Sequence, residues 1–188
     1  MTERLPPPHL RSRRRLIAGA GIAALGVAAG CTAVTPAPPR STAIDDAALL
    51  NNVLGLEYEA VAAYDAALAG GALGASDAAL ARAFQADHVK HAEALVRAIT
   101  RLQDKPVAAR ALEDYRFAAD ALRQRDDALR FLVGFEQGLA LAHLAAVPAF
   151  AEKNLAKGAA GILGVETMHW SALRSALGEA PVPAPFLG

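Results

Sequence analysis

Two short stretches of the sequence place residues that could bind metal at helical spacing. His88 and His91 lie three residues apart in AFQADHVKHAEAL, and the chain has only five histidines. Glu166 and His169 repeat this spacing in VETMHW. Residues three apart project from one face of a helix, so each pair can present two ligands to a neighbour. Imidazole and carboxylate groups are ligands that iron, manganese and zinc accept, although either pair alone could be ordinary core or solvated residues.

The helices that must position these residues are indicated by apolar residues that recur at intervals of three and four. The pattern predicts helices over residues 44–69, 77–102, 126–146 and 158–177. Each helix should pack through an apolar stripe, yet each stripe is interrupted near its middle by potential ligands. These are Glu57 in the first helix, His88 and His91 in the second, Glu136 in the third, and Glu166 and His169 in the fourth. Antiparallel packing would bring all six to one level.

Three carboxylates that face one another in a bundle core should not persist through packing alone. An unpaired buried charge is strongly unfavourable, and a partly satisfied cluster is little better. A bound cation, or a pair of cations, removes the conflict. The alternative is a polar network held by hydrogen bonds without metal.

Three acidic neighbours help to define the limits of this predicted site. Glu59 lies two residues from Glu57, about 200° around the helix, and should face solvent. Glu93 is offset from His91 in the same way. Asp87 precedes His91 by four residues and could reach the edge of the core.

Composition and connectivity predict the fold class. The chain is rich in Ala and Leu and only 5% aromatic, which favours an all-α protein. Ser76 is a candidate N-cap for the second helix, Pro148 should kink or end the third, and Gly178 should close the fourth. Short loops join helices 1 and 2 and helices 3 and 4, whereas residues 103–125 form a long crossover with a short helix within LEDYRFAADALRQR. This connectivity predicts a ferritin-like four-helix bundle with a long crossover between helices 2 and 3.

The chain resembles the ferritin-like superfamily, and in particular bacterial exported ferritin-like proteins that are related to desiccation-related proteins. The resemblance covers roughly residues 44–178 and is carried by LGLEYEAVAAYDAAL, ADHVKHAEAL, LVGFEQGLALAHLAAVPAF and GILGVETMHWSALR. It implies a transition metal in the bundle core, with iron or manganese favoured and zinc as the alternative.

The resemblance also assigns ligands residue by residue. The family's glutamates of the first and third helices fall on Glu57 and Glu136, and the Glu-x-x-His of the fourth helix falls on Glu166 and His169. The Glu-x-x-His of the second helix falls on His88 and His91, so a histidine occupies a glutamate position. That glutamate helps to bridge two metals in dinuclear members, so one metal, or an altered pair with Asp87 shifting in, becomes an alternative here. His143 replaces an aromatic residue and could add an outer donor.

The N-terminal segment 1–31 has the layout of an export signal, with a basic start and an apolar run from Leu16 to Gly30. Its Ser-Arg-Arg-Arg-Leu-Ile at 12–17 resembles the twin-arginine signal, which predicts the twin-arginine export machinery as a partner; an ordinary secretory signal is the alternative. Cys31, the single cysteine, resembles a lipoprotein cleavage site that would give a lipid anchor; cleavage by ordinary signal peptidase near the same place is the alternative. Localisation in the periplasm or cell envelope follows. A Pro-rich tether at 32–43, the bundle at 44–178 and an extended tail at 179–188 complete the predicted domains.

Charge and ligand chemistry leave three functions open. From Thr32 onward there are fourteen basic and eighteen acidic residues, so this mildly acidic part gives no reason to expect a nucleic-acid partner. The first function is a metal-dependent oxidoreductase acting on oxygen or peroxide, the second a metal-binding protein without turnover, and the third a metal-free structural bundle in envelope stress protection. A homodimer is compatible with all three.

Overall fold

The computed structural model describes residues 43–117 and 119–185, and this part is all-α with no strand. The export signal, Cys31 and most of the tether lie outside these residues, so the predicted division into domains stays a prediction. The four long helices are α1 Ala43–Ala69, α2 Ala75–Arg101, α3 Arg125–Ala146 and α4 Lys153–Ala176. Short 3-10 turns occupy Leu112–Asp114, Ala119–Leu122 and Val147–Ala149.

The predicted start of the fourth helix was wrong by five residues. α4 begins at Lys153, because the Glu152 side chain caps it by accepting hydrogen bonds from the backbone N–H groups of Asn154 (2.9 Å) and Leu155 (3.2 Å). Gly158, taken from the sequence as the first residue, lies inside the helix, where it is exposed.

The predicted N-cap of the second helix was also wrong. Gly74 is the N-cap of α2, and Ser76 lies in the first turn. The predicted end of the third helix is confirmed, since α3 stops at Ala146 and a 3-10 turn contains Pro148. Gly178 closes α4 as predicted, with a φ of 74° and an N–H that donates to the carbonyl of Ser175 (3.0 Å).

Two apolar clusters lie at opposite ends of the bundle and reveal the direction of each helix. One contains Leu54 of α1 and Ile99 of α2, and the other contains Tyr64 of α1 and Leu132 of α3. α1 and α4 run from the first cluster to the second, whereas α2 and α3 run the opposite way. Because α2 and α3 are parallel, the chain must travel the length of the bundle between them, which explains the long crossover.

Specific contacts hold this crossover against the bundle. The Asn51 side chain of α1 donates to the carbonyl of Lys105 (3.2 Å) and accepts from the N–H of Val107 (2.8 Å). Farther along, Phe117 packs edge-on against Phe131 and Phe135 of α3. The predicted short helix of the crossover is present as the 3-10 turns.

The segment Arg125–Ala149 is the one part of the described chain that could cross a membrane by length and composition. Its inner side carries the buried residues Glu136 and His143, which meet polar groups of α1 and α2. We therefore describe it as a core helix of the bundle.

Asp46 anchors the start of α1 to the connection between α3 and α4. Its side chain is almost fully buried and accepts from the N–H groups of Ala151 (2.8 Å) and Glu152 (3.0 Å). We expect Asp46→Ala to lower the free energy of unfolding by about 2–4 kcal/mol, because two N–H groups lose their acceptor. Urea denaturation measures this, with Asp65→Ala, an exposed position on the same helix, as the control. Equal losses for the two variants would contradict the anchoring role.

Candidate metal centre

The six residues predicted to bind metal converge between the two apolar clusters. Glu57, His88, Glu136 and Glu166 are fully buried, His169 is nearly so, and the side chain of His91 is 13% exposed. They form two overlapping sets of four whose candidate ligand atoms lie within 4.8 Å of one another. The first set is Glu57, His88, His91 and Glu166, and the second is His88, Glu136, Glu166 and His169. That these residues bind metal stays a prediction.

His88 lies at the centre of the cluster. Its Nδ1 is 3.0 Å from Oε2 of Glu57 on α1, and its Nε2 is 3.1 Å from Oε1 of Glu136 on α3. The ring thus contacts carboxylates on two different helices through its two nitrogens. Tyr64 packs against the same ring, with the two centroids 5.3 Å apart.

Glu166 also faces two partners. Its Oε1 is 2.8 Å from Nδ1 of His91, and its Oε2 is 3.6 Å from Nδ1 of His169. His169 additionally approaches Oε1 of Glu136, at 3.5 Å from Nδ1. Phe84 stacks on the His169 ring at 3.9 Å between centroids and holds its plane, a contact that the helical spacing did not reveal.

Several buried ligand atoms of the cluster have no hydrogen-bond partner among the described residues. They are Nδ1 of His91, Nδ1 of His169, Oε2 of Glu136 and both carboxylate oxygens of Glu166. His91 and Glu166 are close enough to hydrogen bond, but their geometry is not aligned for it. Buried polar atoms without partners are rare in native proteins and call for an explanation such as an ion. The donor set, made of imidazole nitrogens and carboxylate oxygens, suits a transition metal.

Proton affinities in the cluster are strongly perturbed in the absence of metal. Burial alone would raise the pKa of Glu136, but His169 and His88 outweigh it and lower the pKa to about 2. The pKa of Glu57 is lowered even further against burial, mainly by His143 and His88. Burial likewise opposes the imidazolium forms, yet the glutamates raise the pKa of His88 to about 10. The same balance raises the pKa values of His91 and His169 to about 9 each, so protons on the imidazoles supply the counter-charge.

Two further side chains support the glutamates from outside. His143, predicted as an outer donor, lies with its Nε2 3.2 Å from Oε1 of Glu57. The Tyr64 hydroxyl donates to Oε1 of Glu136. Burial and the charge of Glu136 raise the pKa of Tyr64 well above its ordinary value, so the hydroxyl keeps its proton and remains a donor.

The acidic neighbours lie where the helical spacing placed them. Glu59 is 3.5 Å from Arg110 and Glu93 is 3.6 Å from Arg97, both away from the cluster. Asp87 is at the edge of the core, with Oδ2 3.6 Å from Nε2 of His169. Its other oxygen accepts from Lys90 (2.9 Å), so Asp87 connects His169 to the surface.

Comparison with known proteins agrees with this architecture. Residues 45–179 match the ferritin-like domain family. The crystal structure of a conserved hypothetical protein, rv2844, from Mycobacterium tuberculosis superposes with a TM-score of 0.62 at 17% identity, covering 77% of this chain and 99% of that one. At that identity the likeness shows the fold alone. No curated protein matches the chain significantly. The chain belongs to the ferritin-like domain family and folds as an all-α, ferritin-like four-helix bundle.

Proposed function

We propose that this protein is exported and binds a transition metal in the core of its bundle, in oxidative or envelope stress protection. The observation that carries the metal proposal is a group of buried ligand atoms on His91, Glu136, Glu166 and His169 that have no hydrogen-bond partner in the part of the chain that the structure describes. Iron or manganese suits the mixed nitrogen and oxygen donors, with zinc as the alternative. A bound metal would supply Lewis-acid or redox chemistry at this buried position.

Metal binding can be tested with one matched pair of variants on α1. The full chain, purified from the compartment to which it is delivered, should contain stoichiometric metal by elemental analysis. Added Fe(II), Mn(II) or Zn(II) at a hundred times the Kd should stabilise it by about 2.7 kcal/mol. Glu57→Ala alters one of the two ligand sets and should reduce both effects, whereas Glu59→Ala, two residues away and outside the cluster, should keep them in full. Absence of metal from the native protein, with no stabilisation by any of the three ions, would refute the proposal.

A metal-free structural bundle is the second candidate, and one observation favours it. The glutamates already have partners without metal: His88 contacts Glu57 and Glu136, and His143 and the Tyr64 hydroxyl add one contact each. Among the described residues this network leaves both oxygens of Glu166 without a hydrogen bond, which is why metal binding is preferred. If metal is bound, oxygen or peroxide consumption by the reduced protein distinguishes an oxidoreductase from a binding protein without turnover.

Export and anchoring belong to the same proposal and rest on the N-terminal sequence. Replacing Arg13 and Arg14 together by lysine should retain the chain in the cytoplasm, because the twin-arginine machinery reads that pair. Cys31→Ser should release the exported protein from the membrane fraction if the cysteine carries a lipid. Fractionation of expressing cells measures both results. Unchanged export of the double lysine variant would instead favour an ordinary secretory signal.

A further inference from the structure

The two ligand sets share two residues and otherwise mirror each other. His88 and Glu166 belong to both sets. Beyond these, the first set has its own glutamate and histidine, Glu57 and His91, and the second set has Glu136 and His169. Each set therefore offers two imidazole and two carboxylate groups.

The shared residues present a different atom to each set. His88 directs Nδ1 to Glu57 of the first set and Nε2 to Glu136 of the second, at 3.0 and 3.1 Å. Glu166 places Oε1 2.8 Å from Nδ1 of His91 and Oε2 3.6 Å from Nδ1 of His169, and Oε2 also lies 3.8 Å from Nδ1 of His88. These are hydrogen-bond distances without metal, and the same atoms would let each shared residue offer one ligand atom to a cation in each set.

We propose that the site holds two divalent cations, one in each set, with His88 as a bridging imidazolate and Glu166 as a bridging carboxylate. This inference rests on the metal binding proposed above. Two cations are what the ferritin-like resemblance implies for dinuclear members, so the new element is the role of His88, which stands where those members have a bridging glutamate. When both ring nitrogens are ligands, the ring gives up both N–H protons to solvent. Three carboxylates and one imidazolate then balance two divalent cations, so the buried centre is neutral.

The side chains around the cluster also divide between the two ligand sets. The glutamate that belongs only to the first set, Glu57, is supported by His143. The one that belongs only to the second set, Glu136, accepts from the Tyr64 hydroxyl. Outer partners of this kind orient metal ligands, and here each set has one.

Copper titration of the full chain tests the bridge directly, because Cu(II) carries one unpaired electron. We expect wild-type protein to bind two Cu(II) ions per chain, with an electron paramagnetic resonance signal well below that of two independent ions because the spins couple through the bridge. His88→Gln and His88→Ala should sharply reduce the coupling, leaving only the path through Glu166, or lose one ion. Glu93→Gln, outside the cluster on the same helix, should behave as wild type. Circular dichroism checks that each variant is folded, and the wild-type ion count tests the inference without any variant.

Each other outcome would overturn the inference in a recognisable way. One ion per chain would mean that His88 is a terminal ligand or an imidazolium beside a single metal, and metal binding itself would stand. Two uncoupled ions in the wild-type protein, or coupling as strong in both His88 variants as in the wild type, would exclude the imidazolate bridge. Failure to bind any of Cu(II), Fe(II), Mn(II) and Zn(II) would overturn the inference together with the proposed function.

Discussion

Glu166→Gln is expected to weaken metal binding by more than about 100-fold. Loss of a group that only hydrogen-bonds to a metal ligand already costs up to about that much affinity, and Glu166 is proposed as a ligand itself. The reason is that Glu166 belongs to both ligand sets and both of its oxygens lack hydrogen-bond partners among the described residues. The amide keeps the size of the side chain but replaces one ligand oxygen by an NH₂ group and removes the charge. Competition with a chromophoric chelator for Zn(II) or Mn(II) measures the change in Kd.

The comparison variants make this prediction specific. Glu57→Gln and Glu136→Gln each alter one ligand set, so each should weaken binding less than Glu166→Gln. Glu93→Gln, whose side chain pairs with Arg97 at the surface, should leave the Kd unchanged. If Glu57→Gln and Glu136→Gln each cost more metal affinity than Glu166→Gln, the membership of Glu166 in both ligand sets would not explain its contribution to metal affinity.

The metal-free protein is expected to lose at least ~2 kcal/mol of stability between pH 6.5 and 9. His88, His91 and His169 have folded-state pKa values of about 9 to 10, above the ordinary value of 6.5. A raised histidine pKa contributes stability that is complete below the unfolded-state pKa and is lost as pH rises through the folded-state value. On the acid side, the lowered pKa of Glu136 contributes stability that disappears as pH falls from about 4.5 toward 2. Stability should therefore be highest between about pH 4.5 and 6.5.

Metal affinity should rise between pH 6.5 and 9, the interval over which the stability of the metal-free protein falls. Ligating imidazoles must be deprotonated, so apparent affinity should rise as pH increases from 6.5 to about 9. Urea denaturation of the metal-free protein and metal titrations at the same pH values measure the two trends together. A triple variant with His88, His91 and His169 replaced by glutamine should have a stability that is nearly flat from pH 6.5 to 9. A wild-type stability that increases over this interval would contradict the assigned proton positions.

Helical periodicity was sufficient to identify the four helices and their inward faces. The interval of 3.6 residues relates positions along one helix, so it separates Glu57 from Glu59 and His91 from Glu93 without any tertiary information. The long connection between helices 2 and 3 likewise indicated the ferritin-like connectivity, because parallel neighbours need a long crossover. Local signals were weaker at the helix starts: Gly74 and Glu152, rather than Ser76 and Gly158, define where α2 and α4 begin.

The sequence by itself therefore determined the all-α bundle, the level at which Glu57, His88, His91, Glu136, Glu166 and His169 meet, and the solvent-facing positions of their neighbours. Only the tertiary structure decided which atoms face one another: both ring nitrogens of His88 on opposite carboxylates, Glu166 between two histidines, and Asp46 on the start of α4. The physical reason is that periodicity acts within one helix. Contacts between helices depend on their relative rotation and on side-chain rotamers, which packing of the whole core selects.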